Sequence, residues 1–345
     1  NGNVYPNAGL KPVKISEYEV GLSMGFLQNR ISIDAAVYQK NTTDDIAQIS
    51  TSTASGYNAK IANVGKIRNT GFEFMVDAYP VKTADFVWNT TLNFSYNKSE
   101  VRYLGEGVDL LAIDGAQSRA GEVYVYNVVG SPYGEIYGYK YKRDAAGNII
   151  FKDGIPQRTD ERVSLGNGVP KWTGGWSNSF SYKGFNLAML IDFKLGHKIY
   201  SETNRNLVSA GLHKMTLVGR SKDNPVGSVV GVGVNEDGTP NTTAVEAQTY
   251  YGKLVENNIA EAFTYNASFV KLRELSLGYS FPGKMLPKQI KGLSLSIVGR
   301  NIWTIIKHTD NIDPESSLNN TNGQGLELNG YPATRNIGFN VNIKF

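Results

Sequence analysis

From Tyr18 to Phe26 the chain sets Tyr18, Val20, Leu22, Met24 and Phe26 against Glu19, Gly21, Ser23 and Gly25. This period of two is the signature of a strand with one apolar and one small or polar face. After Gln28 and Asn29 it resumes as Ile31, Ile33, Ala35 and Val37, which predicts a tight hairpin. The pattern returns at Phe72 to Ala78, and after Pro80 with Phe86, Trp88, Thr90, Leu92, Phe94 and Tyr96. Further strands are predicted at Trp172 to Tyr182, Phe185 to Phe193, Leu275 to Phe281, Leu293 to Ile297 and Ile337 to Phe345.

These nine strands define an all-β chain. The polar face carries mostly Gly, Ser, Thr and Asn, as in Val87, Asn89, Thr91, Asn93, Ser95 and Asn97. A soluble sandwich would place many Lys, Glu and Arg residues on its wetted face. Small polar residues suit the lumen of a transmembrane antiparallel barrel, whose tilted strands need about 10 residues to cross. Such barrels alternate short turns with long loops. The connections near Gln28, Pro80 and Lys183-Gly184 are short, and Pro282 to Gly292 is moderate. Long loops are expected at about 41–65, 98–171, 196–266 and 308–331. Phe26, Phe86, Trp88, Tyr182, Tyr279 and Phe281 then cluster at the turn side, together with Phe345, as an interfacial aromatic girdle. The segment Gly134 to Phe151 reads either as a hairpin within a loop or as two more wall strands, giving eleven.

Composition narrows the class. With 37 Gly, 20 Tyr and 14 Phe the chain favours strands and turns, and the absence of Cys removes disulfides, thiolate metal sites and Cys nucleophiles. The charge of +4 comes from 35 basic and 31 acidic residues without a basic run, so no nucleic-acid partner is expected. No stretch approaches the roughly 18 apolar residues of a membrane helix. An open sheet of nine strands would leave unpaired edges in lipid. Further strands are therefore expected elsewhere, and the start at Asn1 without a signal peptide or plug-like domain reads as the C-terminal portion of a longer precursor.

Short motifs then follow one another along the whole chain: Asn7-Ala-Gly-Leu-Lys-Pro12, Glu17-Tyr-Glu-Val-Gly21, Asp34-Ala-Ala-Val-Tyr38, Asn69-Thr-Gly-Phe-Glu73, Pro170-Lys-Trp-Thr-Gly-Gly175, Phe269-Val-Lys-Leu-Arg273, Gly299-Arg-Asn301 and Asp313-Pro-Glu315. In this order they resemble the SusC/RagA family of TonB-dependent outer-membrane transporters. The resemblance implies a barrel of about 22 strands around an N-terminal plug. It also implies active import of oligosaccharides or oligopeptides driven by the TonB complex, and a SusD-like surface lipoprotein resting as a lid on the long loops. By the same resemblance Phe339, Val341, Ile343 and Phe345 form the terminal strand read by the barrel-assembly machinery. A TonB-dependent receptor for another nutrient, a passive porin and an outer-membrane hydrolase are the competing readings.

No enzyme and no cofactor are expected, since a Gly-x-Ser-x-Gly elbow is absent and His197, His213 and His308 lack metal-ligand spacing. Asp144, Asp153 and Asp160 share a loop but not the calcium-loop pattern, so turn chemistry is expected of them. Gly227 to Gly233 reads as a flexible loop rather than a phosphate cradle, because no Lys-Ser/Thr follows. The segment Tyr124 to Tyr141, with Tyr137, Tyr139 and Tyr141 as substrate-binding candidates, offers rings that either stack on sugars or pack within an outer loop.

Overall fold

The computed structural model describes residues 4–50, 56–57, 59–221, 223, 226–316 and 323–345. Its main element is a nine-stranded antiparallel sheet in which chain neighbours are sheet neighbours throughout. The strands are β1 (Lys14–Phe26), β2 (Ile31–Thr43), β3 (Lys66–Lys82), β4 (Phe86–Tyr103), β5 (Trp172–Tyr182), β6 (Phe185–Leu195), β7 (Phe269–Ser280), β8 (Gly292–Lys307) and β9 (Asn336–Lys344). Each alternating run of the sequence becomes one wall strand, because a one-residue slip would move its whole apolar set to the wet face. β1 and β9 are the edges of this sheet.

Turn chemistry explains the short connections. Between β1 and β2, Leu27, Gln28 and Asn29 all take positive φ, and Lys183-Gly184 between β5 and β6 does the same, the conformation that tight hairpins require. At the opposite end β3 and β4 overshoot the wall, so the expected loop start at Lys98 falls inside β4, which runs to Tyr103.

The long connections fold into a second body. Leu110–Gln117, Tyr124–Val128, Glu135–Gly138 and Val163–Asn167 form a four-stranded sheet separate from the wall. Of the two readings of Gly134 to Phe151, this is the loop one. Two helices, α1 (Glu202–Ser209) and α2 (Ala247–Glu256), pack on each other and share a hydrophobic core with that sheet. α1 starts where Ser201 Oγ accepts a hydrogen bond from Asn204 N, the usual N-cap arrangement. α2 buries Ala247, Tyr251, Leu254 and Val255, an i, i+4, i+7, i+8 stripe.

One core joins these pieces. Val125, Ile136 and Leu165 meet Tyr200, Val208, Leu254, Ile259 and Phe263 from the next loop and Leu326 and Leu328 from the last. Each such side chain contributes about 1.5–3 kcal/mol on burial. Glu327 locks the last loop to the third, accepting from Ser201 Oγ at 2.8 Å, Thr203 Oγ1 at 2.7 Å and Thr203 N at 3.2 Å. The glycine-rich segment is not a flexible loop. Ser228–Val230 pairs with Ala244–Glu246, and the Phe151 ring occupies the space that a Cβ on Gly231 or Gly233 would need.

Candidate functional site

The wall has two chemically distinct faces. Register pairs share a face, so Val37, Phe72, Tyr96, Trp172 and Leu195 form one row across five strands. A second row runs through Phe86, Tyr182, Phe185, Tyr279, Leu295 and Val341. Both rows and those between them are almost wholly apolar. Trp172 and Tyr182 stand at opposite ends of β5. Ten residues at about 3.4 Å each, tilted by about 45°, give roughly 24 Å of height, the size of the apolar band of an outer-membrane barrel.

Rings bound this band at both ends. On the turn side Phe86 meets Tyr182 at 6.4 Å, Phe185 meets Tyr279 at 4.7 Å, Tyr279 meets Phe281 at 5.0 Å, and Trp88 stacks on Phe180 at 5.7 Å. Phe26, at the end of β1, is exposed on the same face. On the loop side Phe72, Tyr96 and Trp172 form a second cluster, with centroids 4.8–5.9 Å apart. Sequence reasoning passed over this second belt, although the aromatic ends of β4 and β5 carry its signal. Phe339, Val341 and Ile343 continue the apolar face on β9, and Phe345 follows one residue after the strand.

The opposite face is polar and more acidic than the alternation implies. Asn89, Thr91, Asn93 and Ser95 line it with Ser177 and Ser179, and Glu19, Asp34, Glu73 and Asp77 add carboxylates. Asp77 accepts from Asn89 and Thr91, while Glu274 pairs with Arg300 at 2.9 Å. At the loop end Glu315 is a node for three cations: Lys271 Nζ at 2.7 Å, Arg273 at 2.8 Å and Lys194 at 3.4 Å. Lys271 also reaches Asp313 at 2.7 Å, and Arg273 reaches Asp192 at 2.6 Å. Burial opposes charge on Glu315, but the hydrogen bonds from Lys271 and Arg273 outweigh it and hold the carboxyl down at about 2. The Asp313-Pro-Glu315 motif thus pins the last loop to the wall.

The tyrosine segment separates into different roles. Tyr124 and Tyr126 stack at 5.8 Å, and Tyr126 meets Tyr137 edge-on at 5.4 Å, on the sheet face opposite the core residues Val125 and Ile136. Tyr139 lies under two guanidiniums, Arg158 at 3.9 Å and Arg162 at 5.1 Å. Tyr141 packs against the loop core, where burial raises its hydroxyl pKa well above the ordinary range. The structure therefore groups Tyr137 with Tyr124 and Tyr126 and removes Tyr141 from the group.

The remaining candidates are dispersed. His213 Nδ1 accepts from Met215 N, His197 is buried with its pKa lowered to about 4 chiefly by desolvation, and His308 is exposed. Asp144 closes a turn by accepting from Ala146 N and Asn148 N, Asp153 sits in a positive-φ turn, and Asp160 pairs with Lys142. Among the described residues no group of three or more His, Cys, Asp or Glu could hold a metal ion.

Comparison with known proteins bears on this wall. A family described as TonB dependent receptor-like, beta-barrel matches residues 1–302. The TonB-dependent receptor P3 of Formosa agariphila is 26% identical over 369 aligned residues, covering 99% of this chain and 35% of that receptor. The TonB-dependent receptor SusC of Bacteroides thetaiotaomicron is 23% identical, covering 98% and 32%. Among solved structures, the RagAB peptide importer in its open-open state superposes with a TM-score of 0.72 at 21% identity, over 98% of this chain and 35% of that one. The chain spans about a third of the length of the relatives it matches. The two-faced wall, the consecutive antiparallel order and the match over residues 1–302 converge, and the chain belongs to the TonB dependent receptor-like β-barrel family.

Proposed function

We propose that this chain is the C-terminal part of a plugged outer-membrane barrel that imports oligosaccharides or oligopeptides by a TonB-dependent mechanism. The observation that carries the reading is the wall itself, apolar outward between two aromatic belts and polar inward. Open edges on β1 and β9 call for strands from the rest of the receptor, consistent with the third of its relatives' length that the chain spans. In this reading Phe26, Phe86, Trp88, Tyr182, Tyr279 and Phe281 sit at the lipid interface, and the long connections 44–65, 104–171, 196–268 and 308–335 stand outside the cell. A SusD-like lipoprotein closes over those loops, as family resemblance to SusC and RagAB implies.

The chain performs no bond chemistry in this account. The inner wall offers amides, hydroxyls and paired charges that wet a translocating solute. Phe339, Val341, Ile343 and Phe345 act as the assembly signal, so deleting Phe345 lowers the amount of receptor inserted in the membrane. The test is to purify the native complex from outer membranes and identify every chain by intact mass and terminal sequencing, then to measure uptake with and without TonB. A plug-bearing receptor with a lipoprotein and TonB-dependent uptake supports the proposal. Uptake independent of TonB would make the barrel a passive porin.

A further inference from the structure

The turn end of the wall is strongly basic. Each of its four connections holds a cation: Arg30 between β1 and β2, Lys82 at the end of β3, Lys183 between β5 and β6, and Lys284, Lys288 and Lys291 between β7 and β8. Asp85 is the one acid in these connections, and Lys183 Nζ stands 4.0 Å from it. Lys82 and Lys183 also hold their ammonium groups 5.1 and 5.4 Å from the Tyr79 and Tyr182 rings, at the height of the turn-side belt.

The connection between β7 and β8 concentrates this charge. It folds into two turns, closed where Met285 N donates to the Pro282 carbonyl and Ile290 N to the Pro287 carbonyl, each at 2.9 Å. Lys284 stands in the first turn and Lys288 in the second. Lys291 N donates to the Lys344 carbonyl at 2.7 Å, which brings the end of β9 and a fourth lysine alongside. All four lysines are exposed, and neither 281–291 nor β9 contains an acid. The local sequence therefore supplies no carboxylate to offset four like charges at one corner of the wall.

Next to that corner the apolar face of the wall is indented. A groove of about 390 Å³ lies between Phe185, Tyr279, Leu295 and Val341 of the turn-side row and Leu277, Ile297 and Phe339 of the next row. Two residues of strand, roughly 7 Å, separate its lower row from the basic connection. An apolar groove beside a cluster of cations, at the height of an interfacial belt, is complementary to an acyl chain joined to an anionic headgroup. We propose that this corner binds an anionic phospholipid of the leaflet on the turn side, with a chain in the groove and the phosphate over Lys284, Lys288 and Lys291. The lysine stems cover apolar surface while their heads reach the phosphate. The inference rests on the membrane reading of the wall and is independent of which solute is imported.

The experiment takes the full receptor in detergent micelles and measures retained lipid by native mass spectrometry. The probes are phosphatidylglycerol and phosphatidylcholine with identical chains. The unaltered receptor is expected to hold phosphatidylglycerol roughly tenfold more tightly. Lys284→Gln, Lys288→Gln and Lys291→Gln together should abolish that preference, whereas Ile297→Trp, which fills the groove, should weaken both lipids. Because the two lipids are compared on the unaltered receptor, a variant that fails to fold leaves the test intact. Equal retention of both lipids overturns the site, as does a preference that survives the triple variant. Displacement of the lipid by inorganic phosphate or by polyglutamate overturns it too, since either would mark a surface for anions or acidic proteins in which the groove plays no part. Insertion into vesicles with TonB-dependent uptake, alongside equal retention, would leave the membrane and import readings standing. A phosphatidylglycerol preference with uptake independent of TonB would keep the lipid site and remove the importer.

Discussion

Trp88 donates its indole Nε1 hydrogen to Asn178 Oδ1 at 3.0 Å, on the outward face of the wall and close to the turn-side belt. Asn178 is 3% exposed and covered by its neighbours, and its Nδ2 has no partner among the described residues. On an apolar face the pair gives the indole N–H its acceptor, while the donor end of the amide stays unmet. Asn178→Ala should leave the indole unsatisfied and lower stability by about 1–3 kcal/mol in a urea unfolding series in bilayers. Combining it with Trp88→Phe should recover part of that loss, since no donor is then stranded. Strictly additive losses would show that the pair is not coupled.

Gly71 illustrates the same tightness on the inner face. A Cβ there would overlap the Tyr96 carbonyl oxygen and fall 2.6 Å from the Tyr38 hydroxyl, which itself reaches Asn97 at 3.2 Å. Gly71→Ala is therefore expected to cost about 1–3 kcal/mol and to reduce the heat-modifiable, assembled form on a gel. Adding Tyr38→Ala should not rescue it, because the backbone oxygen of Tyr96 remains in the way. Full rescue would place the constraint in the tyrosine alone.

Glu315 makes the last loop sensitive to acid. Its folded pKa of about 2 lies below the ordinary carboxylate value, so the stabilisation it gives is complete above about 4.5. It is lost as pH falls from there toward 2. Proteolysis of the 308–335 connection should be unchanged between neutral pH and about 5 and accelerate below 4. Glu315→Gln should bring the faster cleavage to neutral pH, at a cost of about 1–3 kcal/mol, since Lys271 keeps Asp313 and Arg273 keeps Asp192. Cleavage at one rate across the whole range would detach the loop from this ion network.

The alternation of large apolar and small polar residues made the nine wall strands legible, because each strand sets an apolar face against a polar one. The loop body was not legible. Its core draws Val125, Tyr200, Leu254 and Leu326 from three separate connections, and no local period announces contacts between residues that far apart. The glycines at 231 and 233 read as freedom, yet they are small so that Phe151 can lie against them. The tyrosines gave their positions but not their roles, which depend on Arg158, Arg162 and Glu261 arriving from elsewhere. The inner carboxylates were visible one at a time, and only the register brings Asp34 beside Ser23 and Asp77 beside Thr91.

The central claim is that β5 crosses a membrane with one face in lipid and the other in water. This chain contains no Cys, so single cysteines placed at each position from Trp176 to Phe180 of the full receptor, with any native cysteine outside this chain replaced by Ser, can carry spin labels without background. The account predicts that labels at Trp176, Asn178 and Phe180 collide with oxygen dissolved in the bilayer, while labels at Ser177 and Ser179 collide with a water-soluble nickel chelate. Equal access of all five labels to the aqueous quencher would contradict the membrane wall and with it the importer.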